Sequence, residues 1–213
     1  GANSAAADAA YTVANSCRWN DDDSPYMHKD LGTPTNAYKG TISVWLKRGN
    51  VSVAYKALFN CNSDGNNKIE AYFYSDDTLT FRNEASSSET VNLKTTRLFR
   101  DPSAFYHIVY AWDTTQGTDT NKLKLYVNGV QETVFATSTY PGDSEVIKTN
   151  VSGNSFQIGQ TQGGTTYDGY LSEFVFIDGL QLTPTSFGEF DEDSPTIWKP
   201  KDVSGLTFGD DGF

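Results

Sequence analysis

The side chains with chemical potential in this chain are an acidic run at 189–193, an acidic run at 21–23, two histidines and twelve tyrosines. Retaining hydrolysis of a glycosidic bond needs two carboxyls only about 5–5.5 Å apart, written along one strand face as Glu-x-Asp-x-(x)-Glu. The nearest match, Glu189-Phe190-Asp191-Glu192-Asp193, lacks the final Glu at that spacing and stands beside Pro195. A solvated acidic loop is expected there, and no catalytic residue is assigned. His28 and His107 are too few for a His-rich zinc site and belong to no nucleophile motif. His107, beside Ile108 and Val109 in a strand pattern, is expected to be a hydrogen-bonded structural residue. Gln162-Gly163-Gly164-Thr165 has no lysine-bearing helix after it, so it reads as a turn and not as a phosphate cradle.

Oxygen-rich stretches raise the question of calcium. Asn60-Cys61-Asn62-Ser63-Asp64-Gly65 imitates the start of a binding loop, but the twelfth position, where a bidentate Glu belongs, is Ala71. Asn20-Asp21-Asp22-Asp23 is denser, and three adjacent acids repel one another unless a cation or solvent screens them. Asp168 is a further candidate oxygen ligand. Asp21, Asp22, Asp23, Asp64 and Asp168 are therefore the candidate metal residues, with Ca²⁺ as the one cofactor considered and a solvated turn as the alternative.

Sugar recognition asks for aromatic rings that stack on sugar faces beside amide and carboxylate groups that bind hydroxyls. Tyr140-Pro141-Gly142-Asp143 and Thr166-Tyr167-Asp168 each set a tyrosine next to an acid, and Tyr72, Tyr74, Arg82 and Asn83 could line one face of a sheet. Tyr72, Tyr74, Arg82, Asn83, Tyr140, Asp143, Tyr167 and Asp168 are the candidate ligand-binding residues.

The elements that must position these residues are strands. Short alternating apolar runs recur at roughly 10–15-residue intervals between Gly, Asn, Asp and Ser, as in a sandwich. In 41–48, Ile42, Val44 and Leu46 fall on one face and Ser43, Trp45 and Lys47 on the other, and Trp45 implies that the second face is partly covered. Further strands are expected at 54–60, 68–74, 78–82, 91–98 and 106–113. Asn128-Gly129 suits a type I′ hairpin turn, with Leu123, Leu125 and Val127 inward, and Asp64-Gly65 marks a second hairpin. The run 174–177, four consecutive apolar residues, is expected of a central strand covered on both faces. Thr183 can cap a turn starting at Pro184; at most one short helical turn is expected.

With 27 acidic against 16 basic residues the formal charge is −11, a field that repels nucleic acid and anionic lipid. No run approaches the ~20 apolar residues of a membrane helix, so membrane insertion is not expected. Residues 1–10 lack the basic start and apolar stretch of a signal peptide and read as a flexible linker. Cys17 and Cys61 either bridge or remain two small buried thiols. Asn50-Val51-Ser52 and Asn150-Val151-Ser152 are glycosylation sequons.

Six blocks in order, Ser16 to Ser24, Ile42 to Gly49, Asp101 to Ile108, Lys124 to Gly129, Asp168 to Phe174 and Ile177 to Pro184, resemble the concanavalin A-like, laminin-G-like jelly-roll family, in the version found in virion proteins of marine bacteriophages. The resemblance covers about residues 11–213. It implies two curved antiparallel sheets, glycan binding on loops or the concave face, sometimes a calcium ion at one rim, and a place in a longer virion protein. It also admits laminarinase-like glycosidases as relatives. The chain departs from the pattern at Cys17 and Cys61. The expected organisation is a linker at 1–10, a jelly-roll sandwich at 11–190 and an extension at 191–213 that packs on the sandwich or leads to a further domain. The expected function is non-catalytic carbohydrate binding at a virion surface, outside the cell, with a cell-surface glycan as partner. The alternatives are a structural tail or decoration module that binds another virion protein and, third, a glycoside hydrolase.

Overall fold

The computed structural model describes residues 11–53 and 55–213; the expected linker at 1–10 and the first residue of the strand expected at 54–60 lie outside them. In chain order the strands are β1 (Cys17–Trp19), β2 (Met27–Asp30), β3 (Lys39–Arg48), β4 (Lys56–Asp64), β5 (Asn67–Phe73), β6 (Leu79–Ala85), β7 (Ser88–Thr95), β8 (Tyr106–Asp113), β9 (Leu123–Val127), β10 (Val130–Gln131), β11 (Phe135–Thr139), β12 (Ser155–Ile158), β13 (Gly169–Asp178), β14 (Gly188–Phe190) and β15 (Trp198–Pro200). They form a six-stranded sheet, β1-β13-β3-β8-β9-β10, a seven-stranded sheet, β11-β7-β6-β5-β4-β12-β2, and a separate β14-β15 hairpin. The architecture is the expected all-β, two-sheet antiparallel sandwich.

Alternation along each strand builds the core between the sheets. Ile42, Val44 and Leu46 of β3 and Leu123, Leu125 and Val127 of β9 point into it, against Phe59, Phe81 and Phe156 of the other sheet. Phe81 stacks on Tyr110 at 4.3 Å and Phe59 on Phe156 at 5.6 Å. Such rings bury the area that dominates a sandwich core and prefer these offset and edge-on geometries. Asn128 and Gly129 both take positive φ, 49° and 80°, the pair a type I′ turn requires.

The 174–177 run is covered on both faces: Phe176 lies in the main core, while Val175 and Ile177 join Val109, Ala111 and Phe187 in a second cluster roofed by Leu182, Val203, Leu206 and Phe208. Its strand is not central, however; β13 sits next to the edge strand β1, and burial comes from the chain's own C-terminal part. A bulge between Ser172 and Val175 sets two residues opposite one, with Glu173 at φ 47°, so that Phe174 and Phe176 both pack on the inner cluster. Where one helical turn at most is expected, four single turns occur among the described residues: Asp21–Asp23, Asp119–Lys122, Lys148–Asn150 and the expected Pro184–Ser186. Both cysteines are free thiols, Cys17 exposed and Cys61 buried, so the pair of buried thiols is half realised. Asn150 is 2% exposed, with its amide donating to the Asp178 carboxylate at 3.1 Å; in the folded chain this sequon is closed.

Two further buried polar contacts bear on the sheets, one between them and one on an outer face. Arg48, at the end of β3, donates to Asp77 at 2.9 Å, and both side chains are at most 1% exposed. Arg100 and the Ser52 N–H donate to the same carboxylate at 3.0 and 2.6 Å. Burial pushes the Asp77 carboxyl up, but these donors outweigh it and hold it below the ordinary value. On the outer face of the six-stranded sheet, His107 stacks under Trp45 with centroids 4.6 Å apart. The Trp198 indole N–H, a donor only, donates to His107 Nδ1 at 3.0 Å. Nε2 must then carry the proton and donate to Ser43 Oγ at 2.8 Å. Burial pushes the imidazole down to about 3, and a proton on Nδ1 would set two N–H groups face to face.

Two outcomes follow. His107 is neutral in both states above its ordinary value of 6.5; below it the unfolded chain takes up a proton that the folded chain refuses. Stability therefore falls toward acid, by up to about 1.4 kcal/mol per pH unit between 6.5 and 3. Urea midpoints between pH 7 and about pH 5 should show this slope in the parent and a flatter one in His107→Gln; equal slopes would refute it. Arg48→Met should cost up to about 3 kcal/mol, because Asp77 loses its buried partner but keeps Arg100 and the Ser52 N–H, and adding Asp77→Asn should recover part of that loss. A strictly additive double-mutant cycle would show that the pair is not coupled.

Candidate functional site

The residues between the core positions of the seven-stranded sheet face outward, and register aligns them. One row crosses all seven strands: His28, Gln157, Asn60, Glu70, Arg82, Asn92 and Thr139, each paired with the next. Beside it run Asn62, Lys68 and Glu84 on one side and Tyr72, Thr80 and Lys94 on the other. Every member of these rows is polar or a tyrosine, whereas the inward row through Phe59, Ala71, Phe81 and Leu93 is apolar.

Charges on this face satisfy one another. Arg82 Nη2 bonds Glu70 at 3.2 Å and Glu84 at 3.1 Å, and Lys68 lies 3.3 Å from Glu70. The Glu70 carboxylate also accepts from the Gln162 N–H at 3.1 Å, which draws the 160–166 segment over the sheet. The Asn60 amide donates to Asn62 at 2.9 Å and to Gln157 at 3.0 Å. Three oxygens, Asn60 Oδ1, Thr80 Oγ1 and Asn92 Oδ1, are buried without a hydrogen-bond partner, a condition uncommon enough in proteins to need a cause.

Three tyrosines meet at one end of this face. Tyr55, Tyr72 and Tyr74 have mutual ring separations of 5.3, 5.5 and 5.1 Å. Tyr72 is buried beneath the others, while Tyr55 is 47% exposed. Burial and the hydrogen bond with Tyr74 push the Tyr72 phenol well up, so it keeps its proton. Lys94 lies 4.4 Å over the Tyr74 ring and Arg82 5.9 Å over Tyr72, within cation–π range. Lys94 also bonds Asp76 at 2.9 Å; that contact and the Thr78 hydroxyl hold the Asp76 carboxyl down to about 2.

Of the predicted ligand residues, Tyr72, Tyr74 and Arg82 are brought together. Asn83 is not with them: it is fully buried on the inner side, donates to Thr90 at 2.8 Å and accepts from the Lys148 N–H at 3.1 Å. Tyr167 has no exposed surface, and its hydroxyl donates to the Lys47 carbonyl at 3.0 Å, so it cannot stack on a ligand. Asp168 is 5% exposed and bonded to Arg18 at 2.8 Å. Tyr140 packs half-buried against the main core, and the exposed Asp143 reaches Lys122 at 2.6 Å.

The metal candidates are dispersed. Asp21, Asp22 and Asp23 share one turn, where Asp21 turns to Lys56 and Asp23 accepts from Asn20 at 2.8 Å. Asp64 closes its own hairpin, accepting from the N–H groups of Asn66 and Asn67 at 2.7 and 2.9 Å. Among the described residues no three acidic, histidine or cysteine side chains converge as a metal cluster. The acidic run at 189 to 193 lies on and beyond β14, where Asp191 accepts from Lys199 at 3.1 Å and from the Ser194 N–H at 2.9 Å. The Ser43–His107 contact superficially resembles a nucleophile and base, but the tautomer fixed by Trp198 leaves Nε2 no lone pair for the serine proton.

Sequence reasoning missed Tyr55, Asn60, Glu70 and Lys94. Glu70 and Lys94 were open to detection, since Glu70 has the parity of Tyr72 in β5 and Lys94 that of Asn92 in β7. Tyr55 had no such signal, because it stands in the connection before β4 and reaches the site through a left-handed φ of 59°.

No curated protein matches the chain at a significant level. Solved structures of similar fold include a heptameric SAP-like pentraxin from Limulus polyphemus, with 19% identity and a TM-score of 0.52 over 75% of this chain and 71% of that one. Domain 4 of an extracellular arabinanase from Geobacillus stearothermophilus, in complex with arabinotriose, has 17% identity and a TM-score of 0.53 over 73% and 66% of the two chains. The mouse laminin alpha1 chain has 12% identity and a TM-score of 0.51 over 94% and 48%. The chain thus spans about two thirds of the first two and about half of the third, and at these identities the likeness is one of fold. A family profile of the laminin-G type matches residues 20–185; together with the two-sheet antiparallel sandwich, this shows that the chain belongs to the concanavalin A-like lectin/glucanases superfamily.

Proposed function

We propose that this domain binds carbohydrate without cleaving it, on the outward face of the seven-stranded sheet at the tyrosine cluster. The observation that carries the reading is the joining of three tyrosine rings to a face of amides, carboxylates and guanidinium. The exposed ring of Tyr55 offers a stacking surface, and Arg82 and Lys94 lie over the Tyr72 and Tyr74 rings that it touches. The cations of this face, Lys68, Arg82 and Lys94, are each bonded to an acid, Glu70, Glu84 or Asp76, and Glu89 accepts from the Asn92 amide. A face whose cations are already paired suits an uncharged sugar. The arabinanase domain of the same fold was captured with arabinotriose, a sugar of that kind. The non-catalytic part of the reading rests on Arg82, which occupies the space between Glu70 and Glu84 where a substrate would have to lie, and on the lysine-paired hairpin that holds the 189–193 acids.

The setting proposed is the surface of a virion, with a cell-surface glycan as partner. A second reading, a structural module docked on another virion protein, is favoured by Phe190 and Ile197, which are 52% and 56% exposed around the β14-β15 hairpin. Calcium at the Asp21–Asp23 turn is part of the same test.

The experiment is a glycan array that includes arabinotriose, run with calcium and with chelator, followed by calorimetric titration of any hit. Tyr55→Ala and Arg82→Met are each expected to weaken binding at least about tenfold, or 1.4 kcal/mol, while Tyr167→Phe leaves it unchanged. A Tm that rises with calcium would place the ion in the folded state. A blank array in both buffers would overturn the carbohydrate reading in favour of the protein partner, and hits indifferent to Tyr55 and Arg82 would move the site elsewhere.

A further inference from the structure

The β14-β15 hairpin belongs to neither large sheet. Its strands pair with each other, and the Lys201 N–H, donating to the Phe187 carbonyl at 3.1 Å, closes its base. Phe187 is buried in the second cluster, so the hairpin leaves the sandwich from a fixed point. Within 188–200 the polar contacts are internal: Asp191 accepts from Lys199 and from the N–H groups of Asp193 and Ser194, and its own N–H donates to the Ile197 carbonyl at 2.8 Å. Among the described residues one hydrogen bond alone joins 188–200 to a large sheet, that from the Trp198 indole to His107 Nδ1 at 3.0 Å. Phe190 and Ile197 are mostly exposed. A unit with few buried contacts and one polar tether stands at the low end of local stability.

The tether is built so that a proton breaks it. Trp198 offers only a donor, so Nδ1 must stay unprotonated, and the other ring nitrogen is already committed to Ser43. Around the imidazole stand Ser43 and Trp45 from β3, Asn128 from the turn after β9, which accepts from the His107 N–H at 2.8 Å, and Trp198 from β15. Phe105, Val109 and Tyr126 share this outer face; of all these groups only Tyr126 titrates, and burial raises it. The charged residues of the same elements are Lys47, Lys124 and the hairpin's Glu189, Asp191 and Lys199, the last three paired with one another. None of them acts on the ring, whose shift comes from burial alone. No acid stands by to hold an imidazolium there, so an added proton is accommodated by removing its cover. The two rings beside His107 respond differently, because the stack on Trp45 needs no lone pair and the bond from Trp198 does.

We infer that the β14-β15 hairpin is an acid-released flap: protonation of His107 at Nδ1 expels the Trp198 indole, and the hairpin lifts from the six-stranded sheet as a unit while the sandwich stays folded, uncovering the Trp45–His107 stack. The device is independent of the carbohydrate reading. The full acid slope of global stability holds only while the hairpin is closed, since the lifted form takes up the same proton without unfolding.

The test follows solvent exchange of the indole N–H groups by nuclear magnetic resonance, as protection relative to the urea-unfolded chain, from about pH 8 to about pH 4. Trp198 should exchange faster than Trp112, the indole bonded to Asn150 in the core. Low urea should leave the Trp198 rate unchanged while raising that of Trp112, the mark of local against global opening. Below 6.5, the ordinary imidazole value, Trp198 protection should fall by up to about tenfold per pH unit, and His107→Gln should remove that dependence. Long-range nitrogen–proton spectra of the parent imidazole give a second reading: Nε2 carries the proton at neutral pH, and Nδ1 gains one in step with the loss of Trp198 protection. Equal urea dependence at the two indoles, Trp198 protection that ignores pH or falls alike in His107→Gln, or an Nδ1 proton gained with Trp198 still protected would overturn the flap.

Discussion

The contact on which the functional face depends is the buried ion pair of Arg48 and Asp77. A buried pair carries little net stability, because desolvating two charges offsets most of their attraction; its effect here is on position. Arg48 ends β3 in one sheet, and Asp77 lies in the turn between β5 and β6 of the other. The Asp77 N–H donates to the Tyr74 carbonyl at 3.0 Å, which closes the turn that aims the Tyr74 ring. The Asp77 carboxylate accepts from Ser52, which fixes the connection bearing Tyr55. Ser52, Tyr55 and Asp77 all take left-handed φ, at 58°, 59° and 66°. Each such residue costs on the order of 1–3 kcal/mol and persists only where its surroundings over-determine it. Strain in this corner and the tyrosine cluster therefore share one origin.

From that corner, alternation does the rest. Because successive residues of a strand face opposite ways, the apolar residues that bind the sheets together force their neighbours into a continuous outward row. The chain's excess of eleven negative charges is not concentrated on that face, where Lys68, Arg82 and Lys94 are each bonded to an acid. A face of matched charges does not hold an ion by net attraction. It offers directional hydrogen bonds and rings instead, which is the chemistry of hydroxyl recognition.

How much of this was legible depended on length and parity. Strands 41–48 and 106–113 read directly, because eight alternating residues leave little freedom; β8 begins and ends where expected. The short strands β1, β2, β11 and β12 carry three to five residues each, too few for a period to declare itself, and only tertiary pairing makes them strands. Tyr72 and Tyr74 share a parity, and their rings lie 5.1 Å apart on one face. Arg82 and Asn83 could not both belong to one face, since they are adjacent in a strand, and Asn83 went inward. The same rule separates Tyr167 from Asp168: neighbours in sequence, they diverge into the core and to Arg18. Register across strands, which assembles the outward row, has no local signal at all.

The choice of sheet follows from what covers each. The six-stranded sheet is roofed by Phe187, Leu182, Val203, Leu206 and Phe208, by the β14-β15 hairpin and by the segment 13–16, and its outer residues Val109, Ala111, Val175 and Ile177 are apolar to match. A pocket lined by Trp45, Phe105 and Pro200 opens there. The seven-stranded sheet receives only partial cover, from Tyr55 and the 160–166 segment, and its outer residues are polar. A sheet whose outer face had no ligand could be solvated by any polar side chains. Orphaned oxygens on Asn60, Thr80 and Asn92 are different, because free solvation would have satisfied them. They stand on the less covered face beside an exposed aromatic ring, so that face joins unfilled hydrogen-bonding capacity to a ring that solvent reaches.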